Sequence, residues 1–168
     1  DSGGGISCYE ESVPILQNVI IIFNEASDFG GGIYCWSGSK PILNNVTISE
    51  NIAGSNGGGI FIGHNVSDPD ETTYPKILNS ILWNNIPQEI HFNSQLWGGD
   101  SVLVAYTDIE GGIYSISNPN EVLWLEGNID TDPLFTDPEN GDYTLQEDSP
   151  CIDAGTADID GDGIDDIT

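Results

Sequence analysis

Apolar and polar residues alternate over short runs along most of the chain. Ile6-Ser7-Cys8, Ile33-Tyr34-Cys35 and Ile60-Phe61-Ile62 form one set, and the segments around Val19 to Ile22 and Val46 to Ser49 form another. A side-chain period of two predicts strands, and no segment carries the apolar spacing of a long amphipathic helix. The runs also recur. Glycine triplets start at Gly3, Gly30 and Gly57, a spacing of 27 residues each time. The register holds between them: Cys8 matches Cys35, Pro14 matches Pro41, and Ile15-Leu16 matches Ile42-Leu43. Asn18 matches Asn45 and Asn24 matches Asn51 in the same way. A fixed period of this length marks a stacked-repeat architecture. The leucine spacing does not fit a leucine-rich horseshoe.

Short strands repeating in this way predict an all-β solenoid, a parallel β-helix of about 27 residues per coil with roughly five or six coils in all. Each strand would pair with its counterpart one coil on, over a core of like-on-like columns. The glycine triplets suit corners where backbones pass closely. Asn18 over Asn45 and Asn24 over Asn51 are expected to form corner ladders. Residues 1 to 56 read as two regular coils. The third starts at Gly57 and carries an insertion from His64 to Tyr74, and insertions in solenoids protrude on one face. From Gln88 the repeat loosens, with strands expected at 89–92, 102–106 and 122–125. Residues 128 to 157, rich in Asp, Pro and Gly, are expected to cap the stack, because an open last coil exposes sheet edges. The predicted organisation is a β-helix with its cap over 1–157 and a separate acidic tail over 158–168.

Charge narrows the function. The chain has 28 acidic residues against two lysines and no arginine, a net charge of −26. Phosphate recognition needs clustered cations, so nucleic acid and anionic membranes are poor partners, and no apolar run is long enough to span a bilayer. The absence of methionine and the start in mid-repeat suggest a piece of a longer protein. Three cysteines are too few for a disulfide framework; Cys8 and Cys35 are expected to stack in the core as small hydrophobes.

Two candidate sites emerge. In the tail, Asp158, Asp160 and Asp162 stand at loop positions one, three and five, with Gly163 at six, the carbonyl of Ile164 at seven and Asp166 at nine. That oxygen-donor pattern is the one a calcium loop uses, so calcium is the expected cofactor, although the twelfth position falls beyond Thr168. On the solenoid, strand parity turns Tyr9, Tyr34, Trp36 and Phe61 outward together. Exposed aromatic platforms stack on sugar rings or form protein interfaces, so these four are the expected ligand contacts.

The GGGIYC segment followed by a VTISEN-type strand resembles the right-handed parallel β-helix repeats of bacterial secreted and cell-surface proteins, including polymorphic outer-membrane-protein repeats. Ser80-Ile81-Leu82-Trp83-Asn84-Asn85, Asp132-Pro133-Leu134-Phe135 and Ser149-Pro150-Cys151-Ile152-Asp153-Ala154-Gly155 carry the resemblance toward the C-terminus. It implies a right-handed coil and an extracellular or cell-surface location, and it is weak for activity because such repeats serve adhesins and carbohydrate-active enzymes alike. Lyases of this fold use Arg or Lys as base, which argues against that chemistry here. A hydrolase needs two carboxylates, for which Asp68, Asp70 and Glu71, or Asp108 and Glu110, are available without a distinctive pattern. His64 and His91 show no triad or metal-ligand spacing. The expected function is a non-catalytic structural or adhesion module binding a glycan, a protein or copies of itself, with a self-assembling surface fibre and a polysaccharide hydrolase as the alternatives.

Overall fold

The computed structural model describes residues 1–64, 71–93 and 99–158. The alternating runs become short parallel strands wound into a β-solenoid of about three turns, 27 residues apart, with almost no helix. The first turn consists of β1 (Ile6–Cys8), β2 (Ile15–Ile22) and β3 (Glu25–Ala26). The second is β4 (Ile33–Cys35), β5 (Ile42–Ser49) and β6 (Ile52–Ala53). The third holds β7 (Ile60–Ile62), β8 (Lys76–Leu78) and β9 (Ile81–Trp83). Beyond it, β10 (Ile90–Phe92), β11 (Val102–Ala105), β12 (Asp108–Ile109) and β13 (Val122–Trp124) continue the sheets at less regular spacing. A hairpin of β14 (Phe135–Asp137) and β15 (Asp142–Leu145) completes the set.

The first sheet runs β1-β4-β7-β10, and β2, β5, β8, β9, β11, β12 and β13 make the second. Register is set by columns of identical chemistry. Ile33, Ile60 and Ile90 stack in one, and Ile21, Ile48, Leu82 and Ile109 share another. All of these are buried between the two sheets. A slip of one residue would turn every one of them outward. At the corner before each first-sheet strand the backbones of successive turns run in contact. Gly31 donates to the Gly57 carbonyl, and a Cβ on it would fall 2.5 Å from the Ile52 oxygen, so only glycine fits. Cys8 lies over Cys35 in the core, both as free thiols. The Cys35 thiol is held well above its ordinary value by its hydrogen bond with Cys8 and by burial, and Cys8 is lowered by the same hydrogen bond.

Asparagines hold the corners. At an exposed corner the Asn45 amide donates to the Asn18 oxygen, with both residues in the left-handed region at φ 55°. At a buried corner the backbone N–H and side-chain amide of Asn24 both donate to the Asn51 oxygen, and those of Asn51 both donate to Asn85. Asn85 gives its two donors to the two oxygens of Glu89, at 2.9 and 2.6 Å. The carboxyl of Glu89 therefore ends the chain of amides where the sequence offers no further asparagine.

Residues 122 to 131 lie on the edge of the preceding turn, where Ile129 exchanges backbone hydrogen bonds with Thr107 and Ile109. The segment that follows, expected over the end of the stack, turns back along the outer side of the second sheet. Cys151 meets Asp108, Thr156 bonds Asn79, and the Tyr143 ring packs at 6.3 Å on Phe23 of the first turn. The outward column of that sheet reads Ile20, Thr47 and Ile81, and its first-turn member, Ile20, stays exposed.

Candidate functional site

The four aromatic residues expected on one face are brought together there. In β1, β4, β7 and β10 the outward column reads Ser7, Tyr34, Phe61 and His91. Tyr34 stacks on Phe61 with centroids 5.4 Å apart and an interplanar angle of 11°, and Phe61 stacks on His91 at 5.7 Å. Trp36 lies parallel to Tyr34 at 5.7 Å, and Tyr9 tilts against Tyr34 at 5.4 Å. The indole of Trp36 also reaches over the next turn, within 2.7 Å of where a Cβ on Gly63 would be. That glycine leaves the space the ring occupies.

Exposure departs from expectation. Phe61 is only 2% exposed and Tyr34 8%, while Tyr9 is 46% exposed and Trp36 half-buried. Parity sends all four outward, but the ring faces are spent on one another, and Phe29 adds a further lid over Phe61 at 4.6 Å. The surface that remains is a rim formed by Tyr9 and Trp36 beside a closed stack. Burial pushes the Tyr34 hydroxyl up to about 12, with Tyr9 adding to it. Burial also lowers His91, which favours the neutral imidazole in the stack.

The histidines hold a feature that linear spacing concealed. Nδ1 of His64 lies 2.7 Å from the Asp100 carboxylate, and the other Asp100 oxygen accepts the Thr73 backbone N–H at 2.8 Å. All three residues are buried. The Thr73 hydroxyl donates to the Gly63 carbonyl at 2.7 Å and accepts the Gly38 N–H. This group clasps the two roots of the 64–74 insertion to the chain entering β11. Only a fold that stacks residue 64 near residue 100 could reveal it, and no pattern in the sequence pointed there.

Of the carboxylates considered for hydrolysis, Asp108 and Glu110 are engaged. Asp108 is buried, accepts the Thr131 N–H, and lies 3.1 Å from the Cys151 thiol. Burial raises its carboxyl and also lifts the Cys151 thiol to about 12, with Asp108 contributing to the latter. Glu110 accepts the Asn84 backbone N–H at 2.8 Å. Burial pushes Glu89 up to about 8 against the donations from Asn85, and neighbouring Glu110 reinforces the rise. Asp68 and Asp70 lie outside the described residues, as do Asp160, Asp162, Ile164 and Asp166 of the calcium-type loop. Asp158, its first position, is described and partly buried, with its backbone N–H bonded to the Thr156 hydroxyl.

The fold and its outer face define the class: an all-β parallel solenoid with an aromatic stack along one sheet. Compared with known proteins, the chain matches no family model, no curated protein and no solved structure.

Proposed function

We propose that this chain is a non-catalytic module of an extracellular or cell-surface protein, serving structure and adhesion and making contact with glycans or proteins. The observation that carries the reading is the Tyr9–Trp36 rim. Two accessible rings are braced from behind by the Tyr34–Phe61 stack, so a sugar ring or apolar side chain meets a surface already ordered. Pre-organised aromatic contacts of this kind lose little conformational freedom on binding. A right-handed winding, as in the bacterial surface repeats it resembles, and five or six coils in the protein are part of the same proposal. Calcium binding by Asp158, Asp160, Asp162, the Ile164 carbonyl and Asp166 would suit an extracellular setting, where weak calcium loops are filled.

The test is incubation with a panel of extracellular and plant polysaccharides in calcium, following both retention and release of shortened chains. Retention without cleavage, weakened by Trp36→Ala, is the expected result. Cleavage would overturn the non-catalytic reading in favour of a hydrolase. A second reading, self-association into a fibre, draws on the first turn, where Ile15 and Ile20 are exposed on the edge strand of the second sheet. Sedimentation over a dilution series separates the two, since elongation at high concentration favours the fibre.

A further inference from the structure

The second sheet carries a different kind of surface. Between its outer face and the returning C-terminal segment lies a groove of about 400 Å3. Its floor holds five carboxamides: Gln17, Asn18, Asn44, Asn45 and Asn79. They sit in rows because the repeat stacks them. Gln17 is the register partner of Asn44, and the Asn45 amide bonds that of Asn18. The wall is Asp153, Gly155, Thr156 and Ala157, tied down where Asn79 accepts the Thr156 N–H at 2.8 Å and donates to the Thr156 carbonyl at 3.0 Å. Gly155 permits that approach, since a Cβ there would lie 2.9 Å from the Asn79 oxygen.

The amides are not all consumed by one another. Asn44 is 7% exposed, and its oxygen accepts from Asn79, yet its Nδ2 donates to nothing among the described residues and retains access to solvent. Asn18 Nδ2, the Asn45 oxygen and both polar atoms of Gln17 likewise have no partner among the described residues. Paired donors and acceptors, fixed on a rigid sheet, complement groups that both give and take hydrogen bonds, as vicinal hydroxyls do. Among the described residues no cation lines the groove and Asp153 contributes a carboxylate, so an anionic ligand would be repelled. Rows spaced at about 4.8 Å along the stack match the length of a pyranose unit better than the roughly 3.3 Å rise of an extended peptide.

We infer that this groove binds a neutral oligosaccharide lying along the stack, its hydroxyls bonded to the amides of Gln17, Asn18, Asn44 and Asn45. The inference shares its ligand class with the glycan-binding reading but rests on a different face from the Tyr9–Trp36 rim.

The experiment is calorimetric titration of the full chain with cellohexaose, xylohexaose and mannohexaose, and with an oligogalacturonate as the acidic control. Three variants accompany it. Asn44→Asp keeps the oxygen that Asn79 uses but replaces the free donor with a charge. Gln17→Ala alters an exposed side chain without touching the fold, and Trp36→Ala removes the aromatic rim. The expected result is binding of at least one neutral hexaose and no binding of the acidic one. Asn44→Asp and Gln17→Ala should each weaken it about tenfold, equivalent to one hydrogen-bonded contact, in the Trp36→Ala background as well as in the native chain. Loss in Trp36→Ala with full binding in both groove variants would overturn the groove and leave the rim reading standing. Preference for the acidic chain would also overturn it, and no binding of any glycan would sink both.

Discussion

The buried asparagine at the centre of the ladder should matter far more than its exposed counterpart. Asn51 has no exposed surface. Its oxygen accepts the Asn24 backbone N–H at 3.0 Å and the Asn24 amide at 2.9 Å. Its two amide hydrogens are shared among the Ile21 carbonyl, the Ser49 carbonyl and the Asn85 oxygen, all within 3.0 Å. Asn51→Leu has nearly the same shape and leaves no cavity, so the perturbation is the loss of four hydrogen bonds. At a net value of about 1 kcal/mol each, the cost is about 4 kcal/mol, a large share of the ~5–15 kcal/mol by which domains are stable. Asn45→Gly is the contrast. It removes one solvent-exposed bond at φ 55°, a conformation glycine adopts freely, and should cost under about 1 kcal/mol. Urea unfolding at equilibrium compares the two through midpoint and slope. If Asn51→Leu shifts the midpoint no further than Asn45→Gly, at equal slope, the ladder is not what holds the corner and the reasoning fails.

Other outcomes follow from the same contacts. Glu89 is raised to about 8 in the folded chain, so the fold holds its proton more tightly than the unfolded chain does. The stability tied to it is present in full below its ordinary value near 4.5 and is lost as pH climbs through about 8. Thermal melts of the native chain minus those of Glu89→Gln should therefore decline between pH 5 and 9, and a flat difference would contradict the burial argument. A thiol reagent at pH 8 should leave Cys8 and Cys35 unlabelled and Cys151 slow, because Cys151 is held to about 12, with all three reacting in denaturant; fast native labelling of Cys151 would count against that. Native mass spectrometry should find calcium on the reloaded protein, absent after EDTA and after Asp160→Ala; retention by that variant would move the ion elsewhere. His64→Ala leaves the Asp100 carboxylate buried without its partner and should destabilise the chain by about 3 kcal/mol in urea, and an unchanged midpoint would show that the clasp is dispensable.

The solenoid was legible because its determinants are local and repeated. The glycine triplets, the alternating Ile and Cys columns and the paired asparagines each state their own register, and β1 to β6 follow it residue for residue. The aromatic face was legible in position but not in exposure. Parity fixes which side a ring leaves from, whereas its burial depends on Phe29 and on rings one turn away. The His64–Asp100 pair and the amide groove were hidden for a related reason. Each joins segments that the repeat does not index: an inserted loop in one case, a returning C-terminal segment in the other.

The insertion shows how such a fold accommodates new surface without losing its register. Asn18 to Asn45 and Asn24 to Asn51 are separations of 27 residues, whereas the next ladder step, Asn51 to Asn85, is 34. The extra length enters entirely between β7 and β8. Both strands still pair with the preceding turn in unbroken register, Ile62 on Cys35 and Ile77 on Leu43. Columns on either side of the insertion constrain the chain independently, so the loop need satisfy only its two roots, and His64, Thr73 and Asp100 do that from within. Variation confined to such corners costs the core nothing. A solenoid of this kind can therefore acquire a binding feature beside Trp36 and Gly63 while the asparagine ladder and isoleucine columns continue to specify the fold.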